Sequence, residues 1–453
     1  MRTTGFRSMV LYILLAAFLG GLGYLLVNLG FNGSKWAMQP YNGHINSENS
    51  TVKLGDITDR NGNLLATTED GVRLYSGDET IRRALLHTVG DPYGYISTSV
   101  QSTMSGKLSG YNIITGLNDT IFNRMGSDIA LTVDQNVCAA AYNALGGKNG
   151  AVIVYNYKTG EILCKVSAPT FDPQNVPEDL ETNEAYNGAY LDNTLSSSFT
   201  PGSIFKIVTT AAAMERWPDS WKDITYDCQG SIELAGSDVT CFNGNAHGTQ
   251  DLATALGNSC NVFFAQLAND LGAEALQAKA EEMGFNVKFD FEGLSVCEST
   301  MDVSNTNANE LGWAGVGQYT VLANPYHMML LMGAIANGGE YTQPQLTQDI
   351  DLLGGLTGGN RQLVTSEEAA QLKELLRNNV ANYYGDYLFP DGMNVCAKTG
   401  TGEVGENKGP NCWMVGFCDS TQYPYAFAVV VEDGSGGIES AGSVVSAVLS
   451  ALA

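Results

Sequence analysis

Positive charge is scarce in this chain. Only 23 Lys and Arg stand against 48 Asp and Glu over 453 residues, a formal net charge of −25. That deficit argues against nucleic acid, and against an anionic membrane surface, as the main partner. It leaves room for an anionic small substrate, because two lysines in a cleft act at close range while distant surface charge is screened by salt. Charge of either sign is sparse, at 16%, and glycine is abundant, at 52 residues. With no internal repeat and no low-complexity tract, this composition excludes a coiled coil or a disordered chain and suits a loop-rich globular enzyme. The nine cysteines include no Cys-x-x-Cys and no Cys/His group at zinc spacing, so neither a metal nor another cofactor is expected. Cys228 and Cys241 flank a turn-rich segment as a candidate disulfide, while Cys138 and Cys164 read as small buried apolar residues.

One long apolar run stands near the start. After Arg2 and Arg7, residues from about Met9 to Leu29 carry no charge, and roughly 20 helical residues cross a hydrocarbon core. The run exceeds the about 7–15 residues of a signal-peptide core and no small-x-small cleavage site follows, so a retained anchor is expected. Residues 1–8 would then be a cytoplasmic tail, 9–29 a transmembrane helix, and everything after about Asn32 extracytoplasmic, with Tyr24 and Trp36 near the outer interface.

Residues 30–147 are polar and turn-rich. Gly55 to Ala66 reads as strand, Asn-Gly turn, strand, and Asp128 to Asp134 as a strand before an amphipathic helix at 135–145. From about residue 148 the character changes. Strands are expected at 151–157 and 161–166, a helical middle including 251–271 and 324–336, strands again at 395–398, 413–417 and 425–432, and a closing helix at 440–453. The fold class is therefore α+β: one sheet flanked by helices, with a helical subdomain inserted.

Three short elements carry chemistry. In Phe199-Thr-Pro-Gly-Ser203-Ile-Phe-Lys206 a hydroxyl and an amine lie three residues apart at a helix start, with Pro201 suited to that start and Gly202 allowing a close approach. A serine hydroxyl needs a base, and a desolvated lysine can serve. Ser259-Cys260-Asn261 offers a hydroxyl and an amide for a cleft, although a helix cap is the plainer reading. Lys398-Thr399-Gly400-Thr401 ends an apolar strand with an ammonium and hydroxyls that can hold a carboxylate, and Gly400 would let a substrate backbone approach the strand edge. The tripeptide occurs twice: Lys158-Thr159-Gly160 reads as a hairpin turn, so one copy alone proves little. His247 reads as a loop-stabilising residue, and Cys260 and Cys396 as buried packing.

The ordered set of all three elements resembles the penicillin-recognising serine acyltransferases, the penicillin-binding proteins and serine β-lactamases. The stretches Asp192–Ser203, Gly315–Gln318 with Asn324-Pro325, and Trp413–Phe417 look like the transpeptidase domain of class B penicillin-binding proteins. Gly55–Ala66 looks like their N-terminal pedestal, though Leu54 stands where that family usually has arginine, the pedestal is short, and no wall-binding module follows.

The resemblance implies a pedestal at 30–147 and a transpeptidase domain at 148–453 with an antiparallel sheet. It implies a D,D-transpeptidase in the cell membrane of a bacterium. Ser203 would attack the penultimate D-alanine carbonyl of a stem peptide, with Lys206 as its base, Ser259 relaying a proton, and Asn261 binding the donor peptide. Lys398 would supply positive charge near Ser259 and the substrate carboxylate, which Thr399 and Thr401 bind beside Gly400. The backbone N–H groups of Ser203 and Thr401 would form the oxyanion hole. The implied ligands are D-Ala-D-Ala stem peptides and, as covalent inhibitors, β-lactams. The implied partner is a membrane glycosyltransferase polymerase of the shape, elongation, division or sporulation type. A D,D-carboxypeptidase, a β-lactam-hydrolysing or sensing protein, and a polymerase-activating scaffold remain alternatives. A β-lactamase of class A would need a Glu-x-x-Leu-Asn loop, and none follows Asn261.

Overall fold

The structure, a computed structural model, describes residues 2–37, 53–111, 126–348, 361–405 and 408–453. Parts of the polar N-terminal stretch, 38–52 and 112–125, lie outside the described residues. Contacts divide the chain into two units: residues 1–58, 64–76 and 89–129, and residues 59–63, 77–88 and 130–453.

The smaller unit begins with the helix Arg2–Ala37. Within it, Gly5–Gly30 is long and apolar enough to cross a membrane. Further on, Ile57–Thr58 pairs antiparallel with Leu64–Glu69, which pairs in turn with Val72–Tyr75. The second hairpin turns at Asp70-Gly71, both in the left-handed region that a two-residue hairpin loop demands. Arg73 stitches this unit together, donating to Gly55 O at 2.9 Å and Gln101 Oε1 at 2.8 Å.

The larger unit is built on a five-stranded antiparallel sheet in the order Val395–Gly402, Asn411–Cys418, Tyr425–Val431, Gly150–Asn156, Ile162–Ala168. Every residue of Asn411–Cys418 is buried, so both faces of the sheet are covered and the strand reads as a continuous apolar run rather than an alternating one. The wholly buried helix Pro325–Ala336 packs across the three inner strands. Asn324 caps its start by accepting from His327 N, and Pro325 sits at the first helical position, where its missing N–H costs nothing. Gln135–Leu145 packs on the Ile162–Ala168 edge and against the closing helix Ser443–Leu452. Asp134 caps the former, and Gly146 ends it in the left-handed conformation.

The inserted subdomain gathers the helices Lys206–Arg216, Asn261–Leu271, Ala273–Glu282 and Ala308–Gly315. The helix expected over 251–271 is two helices, Leu252–Gly257 and Asn261–Leu271. The break falls at Ser259, whose φ of 56° no α-helix can contain. The strand expected at 128–134 is shorter, Ile129–Ala130 only.

Candidate active site

The serine turn is held from several sides before any side chain acts. Gly202–Phe205 forms a single 3-10 turn that runs into the helix Lys206–Arg216. Gly202 has φ +54°, and a Cβ there would stand 2.3 Å from Thr401 O. Only glycine fits a left-handed position pressed this closely against a strand. Trp413, fully buried, donates from Nε1 to Thr200 O at 3.0 Å and meets Phe199 edge to face. Upstream, Asp192 is buried against Lys165 at 2.5 Å. Burial alone would raise its carboxyl, yet the Lys165 charge holds it below the ordinary range. Asn324 donates to Ser197 O at 2.8 Å, so the cap of the central helix also grips the approach to Ser203.

Lys206 starts the serine helix and is completely buried. Its Nζ donates to Ser259 O at 2.6 Å and Asn261 Oδ1 at 2.8 Å, and reaches Ser259 Oγ at 3.3 Å. Lys398, equally buried, reaches the same hydroxyl from the other side: Nζ lies 3.0 Å from Ser259 Oγ and 2.9 Å from Thr399 O. Ser259 Oγ is therefore held between two lysines. Burial pushes Lys398 down to about 7. Burial and then the nearby Lys398 charge push Lys206 well below the ordinary lysine range. Ammonium groups stripped of water and facing each other favour losing a proton. Ser203 is half-buried, and among the described residues its hydroxyl makes no hydrogen bond.

The remaining residues of the three motifs meet here too. Asn261 opens its helix, with Nδ2 donating to Thr240 O at 2.8 Å. The cap of that helix is Cys260, whose Sγ accepts from Phe263 N, and not Ser259. The left-handed turn at Ser259 aims its carbonyl and hydroxyl at the lysines instead, a strained conformation of the kind concentrated at functional sites. Thr399 and Thr401 are half-buried on the strand Val395–Gly402. Thr401 O lies 3.5 Å from Gln318 Nε2.

Gly400 also makes a close approach within the protein. A Cβ there would meet Pro201 O at 2.4 Å and Ile204 Cγ2 at 3.0 Å. It lets the strand seat against the serine turn. Tyr384 is a site residue that the sequence reading did not find. Its hydroxyl accepts from Thr399 N at 3.3 Å and Lys398 Nζ at 3.4 Å, and lies 3.3 Å from Thr399 Oγ1. It ends the π-helical turn Val380–Tyr384, and no motif or spacing marks it. The second tripeptide, Lys158-Thr159-Gly160, lies in the turn between Gly150–Asn156 and Ile162–Ala168, as expected. The suggested Cys228–Cys241 disulfide is not formed: the two sulfurs are free and 3.7 Å apart.

Residues 150–450 match the penicillin binding protein transpeptidase domain. The peptidoglycan D,D-transpeptidase PbpA of Mycolicibacterium smegmatis is 27% identical over 78% of this chain and 78% of its own length. Its counterpart in Mycobacterium tuberculosis is 30% identical over 71% and 70%. The ceftriaxone acyl-enzyme of penicillin-binding protein A from M. tuberculosis superposes with a TM-score of 0.75 at 26% identity, over 88% of this chain and 98% of that one. A D,D-transpeptidase domain from Eggerthella lenta gives 0.73 at 28% identity, over 88% and 98%.

Proposed function

The chain belongs to the class B penicillin-binding proteins, and from that premise we propose a peptidoglycan D,D-transpeptidase whose nucleophile is Ser203. One observation carries the assignment of roles: Ser259 Oγ shared by two buried lysines, one of them opening the serine helix. A neutral lysine has two N–H groups and one lone pair. The N–H groups of Lys206 are taken by Ser259 O and Asn261 Oδ1, which leaves the lone pair for the proton of Ser203.

As Ser203 Oγ attacks the penultimate D-alanine carbonyl, its proton passes to Lys206. The oxyanion is received by the backbone N–H groups of Ser203 and Thr401, whose elements abut at Gly202. The proton then moves through Ser259 Oγ to the departing amine of terminal D-alanine. Lys398, held charged by the substrate carboxylate that Thr399 and Thr401 bind, keeps the Ser259 hydroxyl oriented. An amine from a neighbouring stem peptide reverses these steps on the acyl-enzyme and completes the cross-link. β-Lactams enter the same path and stop at the acyl-enzyme.

The apolar helix supports a single-pass anchor, with the short N-terminal tail cytoplasmic and the catalytic unit outside. The N-terminal unit is the candidate docking element for a membrane glycosyltransferase polymerase, the source of the strands to be cross-linked.

Labelled penicillin tests the assignment. We expect one long-lived covalent adduct, located on the Ser203 peptide by mass spectrometry and absent in Ser203→Ala. Rapid turnover of the penicillin would indicate a hydrolase, and labelling that survives Ser203→Ala would remove Ser203 from the role. Stem-peptide donor incubated with and without an amine acceptor separates the two D,D-activities. Cross-linked product supports the transpeptidase, and free tetrapeptide alone the carboxypeptidase.

A further inference from the structure

Cys260 lies between the two residues that grip Lys206, and it is not packed among apolar side chains alone. Cys228 ends the strand Thr225–Cys228, Cys241 follows the strand Ser237–Thr240, and His247 precedes the strand Gly248–Asp251. Pairing of Thr225–Cys228 with Gly248–Asp251 brings His247 beside Cys228, with His247 N donating to Cys228 O at 3.1 Å. Cys241 N donates to Gly230 O, which folds the intervening hairpin back on the same point. The three sulfurs and an imidazole nitrogen all lie within 4.8 Å of one another.

The spacings discriminate among the ways four such groups can meet. A disulfide needs sulfurs about 2.05 Å apart. Two thiolates on one tetrahedral zinc, each at about 2.3 Å, stand about 3.8 Å apart, and a thiolate and an imidazole nitrogen about 3.5 Å apart. Here Cys228 Sγ and Cys241 Sγ are 3.7 Å apart, as are Cys241 Sγ and Cys260 Sγ, and Cys228 Sγ is 3.4 Å from His247 Nδ1. All three cysteines are buried and His247 is half-buried at the rim. A backbone N–H faces the cluster: that of Phe263 donates to Cys260 Sγ at 3.4 Å. Such second contacts commonly support metal ligands. Three thiolates and one imidazole are a borderline-soft donor set that fits zinc and does not suit calcium or magnesium.

We propose that Cys228, Cys241, His247 and Cys260 form a closed, structural zinc site that pins the turn bearing Ser259 and Asn261. The ion replaces the three thiol protons, which pass to solvent, and takes the fourth position from neutral His247, so the loaded site carries a net charge of −1. Four protein ligands leave no open position, and the ion takes no part in the reaction. Its effect is mechanical. Cys260 is fixed, so the left-handed Ser259 on one side and Asn261 on the other stay at Lys206. That consequence rests on the transpeptidase reading, whereas the metal site rests only on the four side chains.

Elemental analysis of the full-length chain, purified in detergent without chelator or added metal, tests the site directly. We expect one zinc per chain, reduced at least about tenfold in Cys228→Ser and in Cys241→Ser, and unchanged in Cys297→Ser, a cysteine outside the cluster. If the ligand variants misfold, the unaltered chain decides. After zinc removal, Co2+ should give tetrahedral and thiolate charge-transfer bands, and Zn2+ should displace them. Absence of zinc together with absence of those bands overturns the proposal, as does a Cys228–Cys241 disulfide in the purified chain by mass spectrometry. Penicillin labelling run alongside reads the mechanical effect: slower acylation of the stripped chain, restored by Zn2+. Zinc present with acylation indifferent to it would keep the metal site and overturn the pinning.

Discussion

The chain carries the tripeptide Lys-Thr-Gly twice, once at each end of the same sheet. Lys158-Thr159-Gly160 closes the turn next to the edge strand Ile162–Ala168, while Lys398-Thr399-Gly400 lies inside the opposite edge strand. Lys158 is exposed, donates to Asn337 Oδ1, and lies over the Tyr157 ring. Lys398 has no solvent at all, shares Ser259 Oγ with Lys206, and is pushed down to about 7 by burial. Thr159 bonds its neighbour Glu161, whereas Thr399 faces Tyr384. The two glycines are both obligatory, each with a backbone oxygen where a Cβ would stand: Gly160, at φ +83° in a turn, would meet Gln343 O at 2.4 Å, and Gly400 would meet Pro201 O of the serine turn at 2.4 Å. Identical residues thus acquire chemistry only where the fold removes water and supplies a second charge.

Replacing the two lysines should separate the copies most widely. Lys398→Ala removes the donor to Ser259 Oγ and the charge proposed to meet the substrate carboxylate, and penicillin acylation should fall on the order of 10³-fold. Lys158→Ala should leave the acylation rate constant within about twofold, as substitutions away from such features usually do. A comparable loss in both variants, measured by stopped-flow or gel labelling, would dissolve the contrast. The glycines come next. Gly400→Ala drives a methyl group into the Pro201 carbonyl, which is backbone and cannot swing aside. A displacement of the serine turn by about 1 Å can cost up to about 10²-fold in acylation. Gly160→Ala, away from the serine turn, should instead lower the melting temperature through left-handed strain and the methyl's clash with Gln343 O, with the acylation rate of the folded fraction unchanged.

These contrasts also mark what could be read before the fold was known. Ser203, Lys206, Ser259, Asn261 and Lys398 announced themselves because each motif is local, and their order along the chain is itself information. The apolar runs at 151–157, 413–417 and 425–432 predicted sheet strands because burial on both faces leaves a sequence signature. What failed to show depends on distant approach. Tyr384 reaches Thr399 across 15 positions from the end of a π-helical turn that has no periodic signal. The close approach of Gly400 to Pro201 leaves no mark in the sequence because the two lie about half the chain apart. The cysteine cluster was missed because its ligands come from strand ends and a helix cap, so their intervals of 13, 6 and 13 residues follow hairpin lengths and not a compact knuckle. The break at Ser259 interrupts a stretch whose apolar spacing reads as one helix, since left-handed serine leaves no pattern behind.

Tyr384 gives the smallest and most discriminating test of why Lys398 differs from Lys158. In the proposed mechanism acylation needs Lys206 neutral and Lys398 charged, so its rate constant per unit penicillin should rise with pH as Lys206 loses its proton. It should then fall as pH passes about 7, where Lys398 loses its own. The Tyr384 hydroxyl offers Lys398 an oxygen acceptor at 3.4 Å, and an acceptor stabilises the charged form. Tyr384→Phe keeps the ring and the packing but removes that acceptor, so the Lys398 pKa must move further down, not up. The falling limb should shift to lower pH by up to about one unit, since one unit corresponds to about 1.4 kcal/mol, the scale of a single hydrogen bond to a charged group. At pH 7 acylation should drop about two- to fivefold, within that same shift of up to one unit, while at the foot of the rising limb the two proteins should nearly coincide. A uniform loss across all pH would mean that Tyr384 only positions Thr399. A limb displaced upward would contradict the charged role of Lys398 and, with it, the physical distinction between the two tripeptides.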